Sequence, residues 1–327
     1  MVISKTPLRI SFAGGGTDFR DYYRARQGRV VSMAIRRHVY VTVNKRWDDA
    51  IRVAYTKTEI VRHIGDLQHD LIREAMKMAG VTRSIEVTTI ADVPAGSGLG
   101  SSSSLTVGAL NALYAFQGRY LPPGMLAEQA CQIEIGVLGR PIGKQDQYIA
   151  AHGGFRFLHF NADESVSVEP IVCTDATRRR LVNSLLLFYT GVSRESHSVL
   201  AEARQRMRVP GASRSALDGL SDLAARVARE VAGGRLSRFG SLLHEGWELK
   251  KQMGSKVTNG DLDRYYRLAR RAGAEGGKIT GAGGGGCLLL YAPRSAHASI
   301  RATARRLGFR EFPIGFEPDG SKIIYSD

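Results

Sequence analysis

The 327-residue sequence has only three cysteines, and they form no C-x-x-C pair. An odd number of widely spaced cysteines builds neither a disulfide framework nor a thiolate metal site. We therefore expect Cys131, Cys173 and Cys287 to be reduced thiols that pack as small hydrophobic residues. The eight histidines also lack H-E-x-x-H or a comparable ligand spacing, so we expect no zinc.

Long hydrophobic runs are missing as well. No apolar run approaches the ~20 residues needed to span a bilayer, and the start MVISKTPLRISF has no hydrophobic signal core. With 43% hydrophobic and 24% charged residues, the composition is ordinary for a soluble globular protein. We expect a cytoplasmic protein with no membrane partner.

The sequence does have a large basic excess. Its net charge of +15 raises nucleic-acid binding as a class of function. The basic residues are spread along the chain, however, and the short clusters at 178–180 and 301–306 are not interleaved with stacking aromatics. This distribution argues against nucleic acid and is compatible with anionic small-molecule partners, or simply with an arginine-rich proteome.

The apolar pattern predicts an α+β protein of two domains, because the chain exceeds the ~100–200 residues of one domain. Residues 2–55 show a series of strand patterns, and a strongly apolar strand at 184–189 opens a second unit rich in helical patterns. We place the domains at 1–175 and 176–327. The other predicted elements are helices at 66–79, 125–138, 195–208, 216–232, 236–252 and 262–271, and strands at 30–35, 38–45, 51–55, 155–160, 166–171, 287–291 and 323–325.

The segment PAGSGLGSSSS, residues 94–104, contains three glycines and five serines. It follows a strand pattern at 84–90 and precedes a helix pattern at 105–116. A glycine loop that opens a helix is suited to hold an anion, because free backbone N–H groups and the helix dipole converge there. A flexible linker is the alternative, but a linker would not separate two apolar periodic segments. The Walker lysine is absent, so this is not a P-loop NTPase.

Two further glycine clusters flank this segment. PLRISFAGGGTD, residues 7–18, ends an N-terminal strand, and KITGAGGGGC, residues 278–287, precedes a strand. Glycine allows positive φ and close approach of the backbone to a ligand, at an entropic cost. For any one cluster, a structural turn is the alternative.

The order and wording of the three segments resemble the motifs of the GHMP kinase superfamily. The central segment is similar to that family's ATP-phosphate loop, P-x-x-x-G-L-G-S-S, and the resemblance extends over nearly the whole chain. It implies the two-domain GHMP kinase fold, with an N-terminal mixed sheet and helices and a C-terminal ferredoxin-like α/β sandwich with extra helices. It also implies ATP and Mg²⁺ as cofactors.

The resemblance assigns catalytic roles. Asp146, in GKQDQY, matches the family's general base, and Arg9 matches an arginine beside that base. The start of a predicted helix, next to Lys144, is a setting in which a carboxylate stays ionised, although a simple helix cap is the alternative. Ser102 and Glu134 match the ligands of Mg²⁺, an ion that prefers hard oxygen donors. Without the resemblance, Glu134 would be taken for a solvated helix residue.

The implied ligand contacts fall in all three segments. The residues expected to bind ATP phosphates are Gly96, Ser97, Gly98, Leu99, Gly100, Ser101, Ser102 and Ser103. The residues expected to bind the substrate are Gly15, Gly16, Thr17, Asp18, Lys144, Arg194, Gly283 and Gly284. Oxygen acceptors on a rigid turn, as in Thr17-Asp18, suit a sugar diol. The third glycine run either brings N–H groups to the substrate or packs against the phosphate loop, and both roles remain open.

Within the superfamily, PLRISFAGGGTD and GKQDQY are most similar to kinases that phosphorylate O1 of D-glycero-D-manno-heptose 7-phosphate, for activated heptose precursors of capsule or another surface glycan. The expected partners are therefore ATP and a sugar phosphate, and a homodimer is left open. The alternatives are another sugar 1-kinase, for galactose, fucose or an N-acetylhexosamine, and a catalytically inactive relative. The candidates for binding the substrate phosphate are Arg20, Arg24, Arg140, Lys144 and Arg194.

Overall fold

The computed structural model describes residues 1–191, 196–207 and 211–327, which form two β-sheets covered by helices. The strands are β1 (Val2–Ala13), β2 (Gly28–Lys45), β3 (Ile51–Ala54), β4 (Thr58–Val61), β5 (Ile85–Ala91), β6 (Phe155–Phe160), β7 (Val166–Pro170), β8 (Leu185–Tyr189), β9 (Gly276–Ile279), β10 (Cys287–Tyr291), β11 (Arg310–Glu311) and β12 (Lys322–Ser326). The helices are α1 (Arg20–Tyr23), α2 (Asp70–Ala79), α3 (Ser101–Phe116), α4 (Pro123–Cys131), α5 (Gln145–His152), α6 (Asp175–Asn183), α7 (Ser196–Met207), α8 (Ala212–Ala232), α9 (Phe239–Lys251), α10 (Gly260–Arg271) and α11 (His297–Arg306). A π-helical segment, Gln132–Val137, continues α4.

The first sheet is mixed. Its main order is β12-β1-β2-β5-β3-β4, and β6 joins β2 to β7. Neighbouring strands are antiparallel except β3 and β5, which are parallel. Strand β2 runs unbroken where two strands were predicted, because its first half pairs with β6 and its second half with β5.

Helix α3 lies close against β1. A Cβ on Gly108 would lie 2.6 Å from Thr6 Oγ1, so glycine at this position permits the close approach. Ser104 Oγ donates to Pro7 O at 2.8 Å, and Arg9 N donates to Leu99 O at 3.0 Å. These bonds fix the start of α3, and the loop before it, beside the middle of β1.

The second sheet is antiparallel, in the order β11-β8-β10-β9. Helix α9 packs directly on β9, since a Cβ on Gly276 would lie 1.8 Å from Gly240 O. This packing brings Lys250, near the end of α9, into contact with the third glycine segment, residues 278–287. The two sheets with their helices confirm the predicted α+β class, with a mixed first sheet and an antiparallel second sheet.

The end of the chain returns to the first sheet, because β12 pairs with β1. The predicted domain boundary after residue 175 falls in the first turn of α6 and stays a prediction. All three cysteines are free; Cys131 and Cys287 are buried and Cys173 is partly buried. Among the described residues, no helix has the length and apolar character needed to cross a bilayer.

Candidate active site

Two adjoining cavities lie between the three glycine segments. The first, the glycine-loop cavity, is lined by Gly96, Gly98, Gly100, Ser101, Ser102, Ser103, Glu134, Arg140, Gly283 and Gly285. The second, the Asp18 cavity, is lined by Ser11, Gly15, Gly16, Asp18, Gln145, Lys250, Met253 and Lys278. Arg9 and Asp146 line both cavities, together with Ile142, Leu200, Gly281 and Ala282. The predicted catalytic pair therefore lies where the two spaces meet.

Arg9 and Asp146 form a bidentate ion pair. Arg9 Nε donates to Asp146 Oδ1 at 2.7 Å, and Nη2 donates to Oδ2 at 2.6 Å. The remaining terminal nitrogen, Nη1, donates to Gly98 O at 2.7 Å. Arg9 is buried, whereas Asp146 keeps about a quarter of its side chain accessible, at 23%. Since both oxygens bind Arg9, Asp146 does not cap α5, and its carboxylate has a fixed orientation.

The 94–104 loop has the backbone that its glycines predict. Gly96, Gly98 and Gly100 adopt φ of +76°, +75° and +80°, a region that residues with a Cβ rarely occupy. Leu99 and Ser97 are fully buried beneath the loop, while the three glycines and the serines at 101–103 line the glycine-loop cavity. The 16-residue helix α3 begins at the cavity, so its free N–H groups and its dipole favour an anion there.

The third glycine segment packs against this loop. A Cβ on Gly98 would lie 2.8 Å from Thr280 O, and a Cβ on Gly281 would lie 2.8 Å from Gly98 Cα. Gly283 lines the glycine-loop cavity. The predicted substrate residue Gly284 lines neither cavity, and its N–H donates to Val257 O at 2.7 Å. Close packing of two backbones is thus an evident reason for these glycines.

Glu134 lies in the π-helical segment and is fully buried. Burial raises the pKa of its carboxyl group to about 7. Gln147 Nε2 donates to Oε1 at 3.0 Å, while Oε2 has no hydrogen-bond partner among the described residues. Oε2, which lies 3.7 Å from Arg140 Nη1, shares a cavity with Ser102 and Ser103, and a carboxylate oxygen in this position fits a hard cation such as Mg²⁺.

The protein groups here would form only part of a metal site. Within the described ranges, no group of three or more His, Cys, Asp or Glu residues could hold a metal ion. Mg²⁺ commonly binds through one or two protein oxygens together with water and nucleotide phosphates. The donor set of Glu134 and Ser102 is therefore compatible with a Mg²⁺ that arrives with a nucleotide.

Asp18 is a buried residue that lines the Asp18 cavity. Its Oδ1 accepts from Gly16 N at 2.9 Å and its Oδ2 from Gln145 N at 3.2 Å. Burial raises the pKa of Asp18, and these backbone bonds oppose the increase. The carboxylate has further lone pairs that can accept hydrogen bonds from ligand hydroxyls.

Thr17 does not reach the cavity, contrary to its predicted role. Its hydroxyl is fully buried, donates to Gly14 O at 2.8 Å and accepts from Arg29 N at 2.9 Å. The side chain closes the turn after β1, and this bonding holds Asp18 in place. Gly15 and Gly16 do line the Asp18 cavity, as expected.

Among the described residues, none of the basic residues predicted to bind a substrate phosphate lines the Asp18 cavity. Lys144, Arg20 and Arg24 all bind the carboxylate of Glu164, with Lys144 Nζ at 2.9 Å from Oε2. None of the three lines either cavity. Arg140 lines the glycine-loop cavity, where it binds Asp70 at 2.9 Å. Arg194 lies outside the described residues.

Two lysines that sequence reasoning missed line the Asp18 cavity. Lys250 is 7% exposed and Lys278 is 5% exposed. Burial lowers the pKa of Lys250 to about 8 and also lowers that of Lys278. Lys278 opens the third glycine segment, a position that could have drawn attention to it. Lys250 lies in a long helix with no local signal.

The joined cavities are those of a phosphotransferase: a helix N-terminus and glycine loop for nucleotide phosphates, and a carboxylate at the boundary with a second space. Comparison with known proteins agrees. Residues 67–154 match the model of the GHMP kinase N-terminal domain, and residues 223–308 match that of the C-terminal domain. The chain belongs to the GHMP kinase family and is a phosphotransferase with an alcohol group as acceptor. Kinases of this family use ATP.

Several relatives match along most of this chain. It is 29% identical to the D-glycero-alpha-D-manno-heptose 7-phosphate kinase of Campylobacter jejuni, over 98% of this chain and 97% of that one. The crystal structure of a D-glycero-D-manno-heptose 1-phosphate kinase from Bacteroides thetaiotaomicron matches with a TM-score of 0.82 and 28% identity, covering 100% of both chains. An L-fucokinase/L-fucose-1-P guanylyltransferase of Bacteroides fragilis is 28% identical over 92% of this chain and 35% of that one.

Proposed function

We propose that the protein transfers the γ-phosphoryl group of ATP to the anomeric O1 of D-glycero-D-manno-heptose 7-phosphate, producing the 1,7-bisphosphate. The observation that carries this proposal is the position of Asp146 at the boundary of two cavities, held there by Arg9. A group at that boundary can contact an acceptor hydroxyl in one cavity while the phosphates of ATP occupy the other.

In the proposed reaction, Asp146 is the general base. It accepts the O1 proton as O1 bonds to the γ-phosphorus and the bond from that phosphorus to the ADP oxygen breaks. Arg9 keeps both carboxylate oxygens oriented and places a permanent positive charge beside the transferring phosphoryl group. The accessible fraction of Asp146 leaves room for the hydroxyl to approach.

ATP would be held by the 94–104 loop. Its backbone N–H groups and the N-terminus of α3 bind the phosphates, and the glycines let the phosphates approach the backbone closely. Glu134 and Ser102 would hold Mg²⁺, which neutralises charge on the phosphates when it is bound. Asp18, fixed by its two backbone bonds, would accept hydrogen bonds from sugar hydroxyls and so orient O1 toward Asp146.

The choice of a heptose phosphate is supported by the end-to-end likeness to the Campylobacter and Bacteroides thetaiotaomicron kinases. The alternative is another sugar 1-kinase, for galactose, fucose or an N-acetylhexosamine, which the likeness to the fucokinase keeps open. We place the enzyme in the cytoplasm, where ATP is available, and assign its product to activated heptose precursors of capsule or another surface glycan.

A coupled assay of ADP release over these sugars and over phosphorylated heptoses tests the proposal. We expect the highest kcat/KM with heptose 7-phosphate, and product analysis should place the new phosphate on O1. Higher kcat/KM with a neutral hexose would overturn the heptose assignment and leave the kinase assignment standing.

A further inference from the structure

The Asp18 cavity contains two buried lysines that donate to backbone carbonyls. Lys250 Nζ donates to Gly281 O, and Lys278 Nζ donates to Ser11 O at 2.9 Å. In the part of the chain that the structure describes, neither ammonium group lies within 4.0 Å of a carboxylate oxygen. Each ammonium group has three donors, and backbone carbonyls use only part of that capacity.

The other charges around this cavity compensate the lysines only in part, because Asp18 and Asp146 favour the charged form of Lys250 while Arg9 opposes it. Arg9 and Asp146 neutralise each other through their bidentate pair. Asp18 already accepts two backbone N–H bonds, and it is one carboxylate against two ammonium groups. The two lysines also repel each other, and the charge of Arg9 adds to that repulsion. Unpaired buried charge is unfavourable, so a bound anion would relieve it.

The cavity offers further unused polar groups. Ser11 Oγ is buried and has no hydrogen-bond partner among the described residues. It lines the same cavity as both lysines, and Lys278 bonds to the carbonyl of the same residue. A hydroxyl and two ammonium groups without full partners together make a set of donors suited to a phosphate.

We propose that Lys250, Lys278 and Ser11 form the subsite for the phosphate that the acceptor sugar already carries. This inference rests on the proposed function, since it requires an acceptor that is itself phosphorylated. The lysines line the Asp18 cavity only, whereas the donors of the 94–104 loop line the cavity on the other side of Asp146. Lys144, Arg20 and Arg24 are already bound to Glu164.

The test compares Lys250→Met and Lys278→Met with the wild type. Methionine keeps the length and the apolar contacts of the stem and removes the charge. For each protein, kcat/KM is measured with heptose 7-phosphate and with unphosphorylated heptose, and the ratio of the two values is the readout. In each lysine variant we expect this ratio to fall on the order of 10- to 100-fold, the effect of one charge-assisted hydrogen bond.

The matched control is Lys77→Met, which removes an exposed lysine of α2 that pairs with Glu74 outside the cavity; its ratio should stay within about threefold of wild type, as for a surface pair. Titration calorimetry of heptose 7-phosphate without nucleotide adds a readout independent of turnover, and both cavity variants should bind it more weakly. Thermal unfolding checks that they are folded. Because the substitution removes buried unpaired charge, we expect a Tm at or above that of the wild type.

The outcomes separate the two proposals. If the wild type prefers the phosphorylated sugar and the lysine variants keep that preference, the subsite is wrong and the proposed function stands. If a variant loses kcat/KM equally with both sugars, the lysines act on the transferred phosphoryl group or on the fold, and again only the subsite is overturned. If the wild type shows no preference, both proposals are overturned.

Discussion

Arg9 binds both carboxylate oxygens of Asp146, and its remaining terminal nitrogen binds the carbonyl of Gly98. One guanidinium therefore connects the start of α5 to the loop that opens α3. The proposed base and the proposed phosphate site are positioned by the same side chain. A substitution of Arg9 should therefore affect both the base and the phosphate loop.

We expect Asp146→Asn to lower kcat by roughly 10²–10⁴-fold, because the amide cannot accept the hydroxyl proton. The affinity for ATP should change little, since Asp146 contributes no donor to the phosphate loop. Steady-state kinetics with both substrates, together with ATP binding by calorimetry, measure the two effects. Retention of half of the wild-type turnover would remove Asp146 from the role of base.

Arg9→Lys tests whether Asp146 needs the bidentate contact with the Arg9 guanidinium or only its positive charge. A lysine has a single charged nitrogen and cannot match two carboxylate oxygens and the Gly98 carbonyl with the same geometry. We expect kcat to fall by about 10–100-fold, the loss of roughly one or two charge-assisted bonds. Arg179→Lys, at an exposed position on α6, is the matched control and should behave as wild type. An active Arg9→Lys variant would show that charge alone is sufficient.

The sequence predicted the parts of the fold that depend on local patterns. The long amphipathic helices and the strand before the 94–104 loop lie near their predicted places. Strand β2 was split in the prediction because two arginines interrupt its apolar pattern at 36–37. In the structure that stretch is kept extended by distant residues, with Arg36 N donating to Gly315 O at 2.9 Å. Helix α6 was missed because it buries only Thr177 and Leu181, which leaves little periodic signal.

Gly98→Ala tests the close packing of the phosphate loop. A left-handed φ costs alanine about 1 kcal/mol, and its Cβ would in addition lie 2.8 Å from Thr280 O. We expect a loss of stability beyond the φ effect, and at least ~10-fold weaker ATP binding because the loop N–H groups are displaced. Gly118→Ala is the control, since Gly118 has φ +73° with nothing within 4 Å of a Cβ. Equal losses in both variants, with ATP affinity unchanged, would argue against the loop as the phosphate site.

Glu134→Gln tests the proposed metal ligand. Glutamine keeps the size of the side chain but replaces the carboxylate, whose Oε2 has no hydrogen-bond partner among the described residues, with a neutral amide. In the wild type, Mg²⁺ should tighten the binding of a non-hydrolysable ATP analogue, and this effect should be at least ~10-fold smaller in the variant. Glu128→Gln, at an exposed position on α4, is the matched control. The same Mg²⁺ effect in wild type and Glu134→Gln would exclude Glu134 as a ligand.

The site was predictable where its residues fall within continuous motifs. Three sequence motifs contain the glycine loop, Arg9, Asp18 and Asp146, and each motif indicates the proposed chemistry of its residues. The residues proposed for the substrate phosphate were not predictable in this way. Lys144 lies in the motif GKQDQY, but its side chain binds Glu164. Lys250 and Lys278 come together only through the packing of α9 on β9, which is a tertiary contact with no local signature.

The lowered pKa of Lys250 makes acceptor binding depend on pH. Burial and the charge of Arg9 together lower this pKa to about 8, while Asp18 and Asp146 oppose the decrease. Lys278, on the adjoining strand β9, is a further titratable group in the same cavity, and burial lowers its pKa as well. Below pH 8 the free enzyme holds Lys250 charged, and above pH 8 it becomes neutral. A sugar phosphate is already dianionic above pH ~7, since its second pKa is about 6.

Binding an anion favours the charged lysine, so affinity must fall as pH rises through the pKa of the free enzyme. We therefore expect KM for heptose 7-phosphate to rise between about pH 7.5 and 9.5, toward the value of Lys250→Met. KM for unphosphorylated heptose should show no such rise. Lys250→Arg is the decisive control, because arginine stays charged throughout this range. It should keep the preference for the phosphorylated sugar and lose the alkaline rise in KM. A wild-type pH profile in Lys250→Arg would assign the alkaline rise to another group.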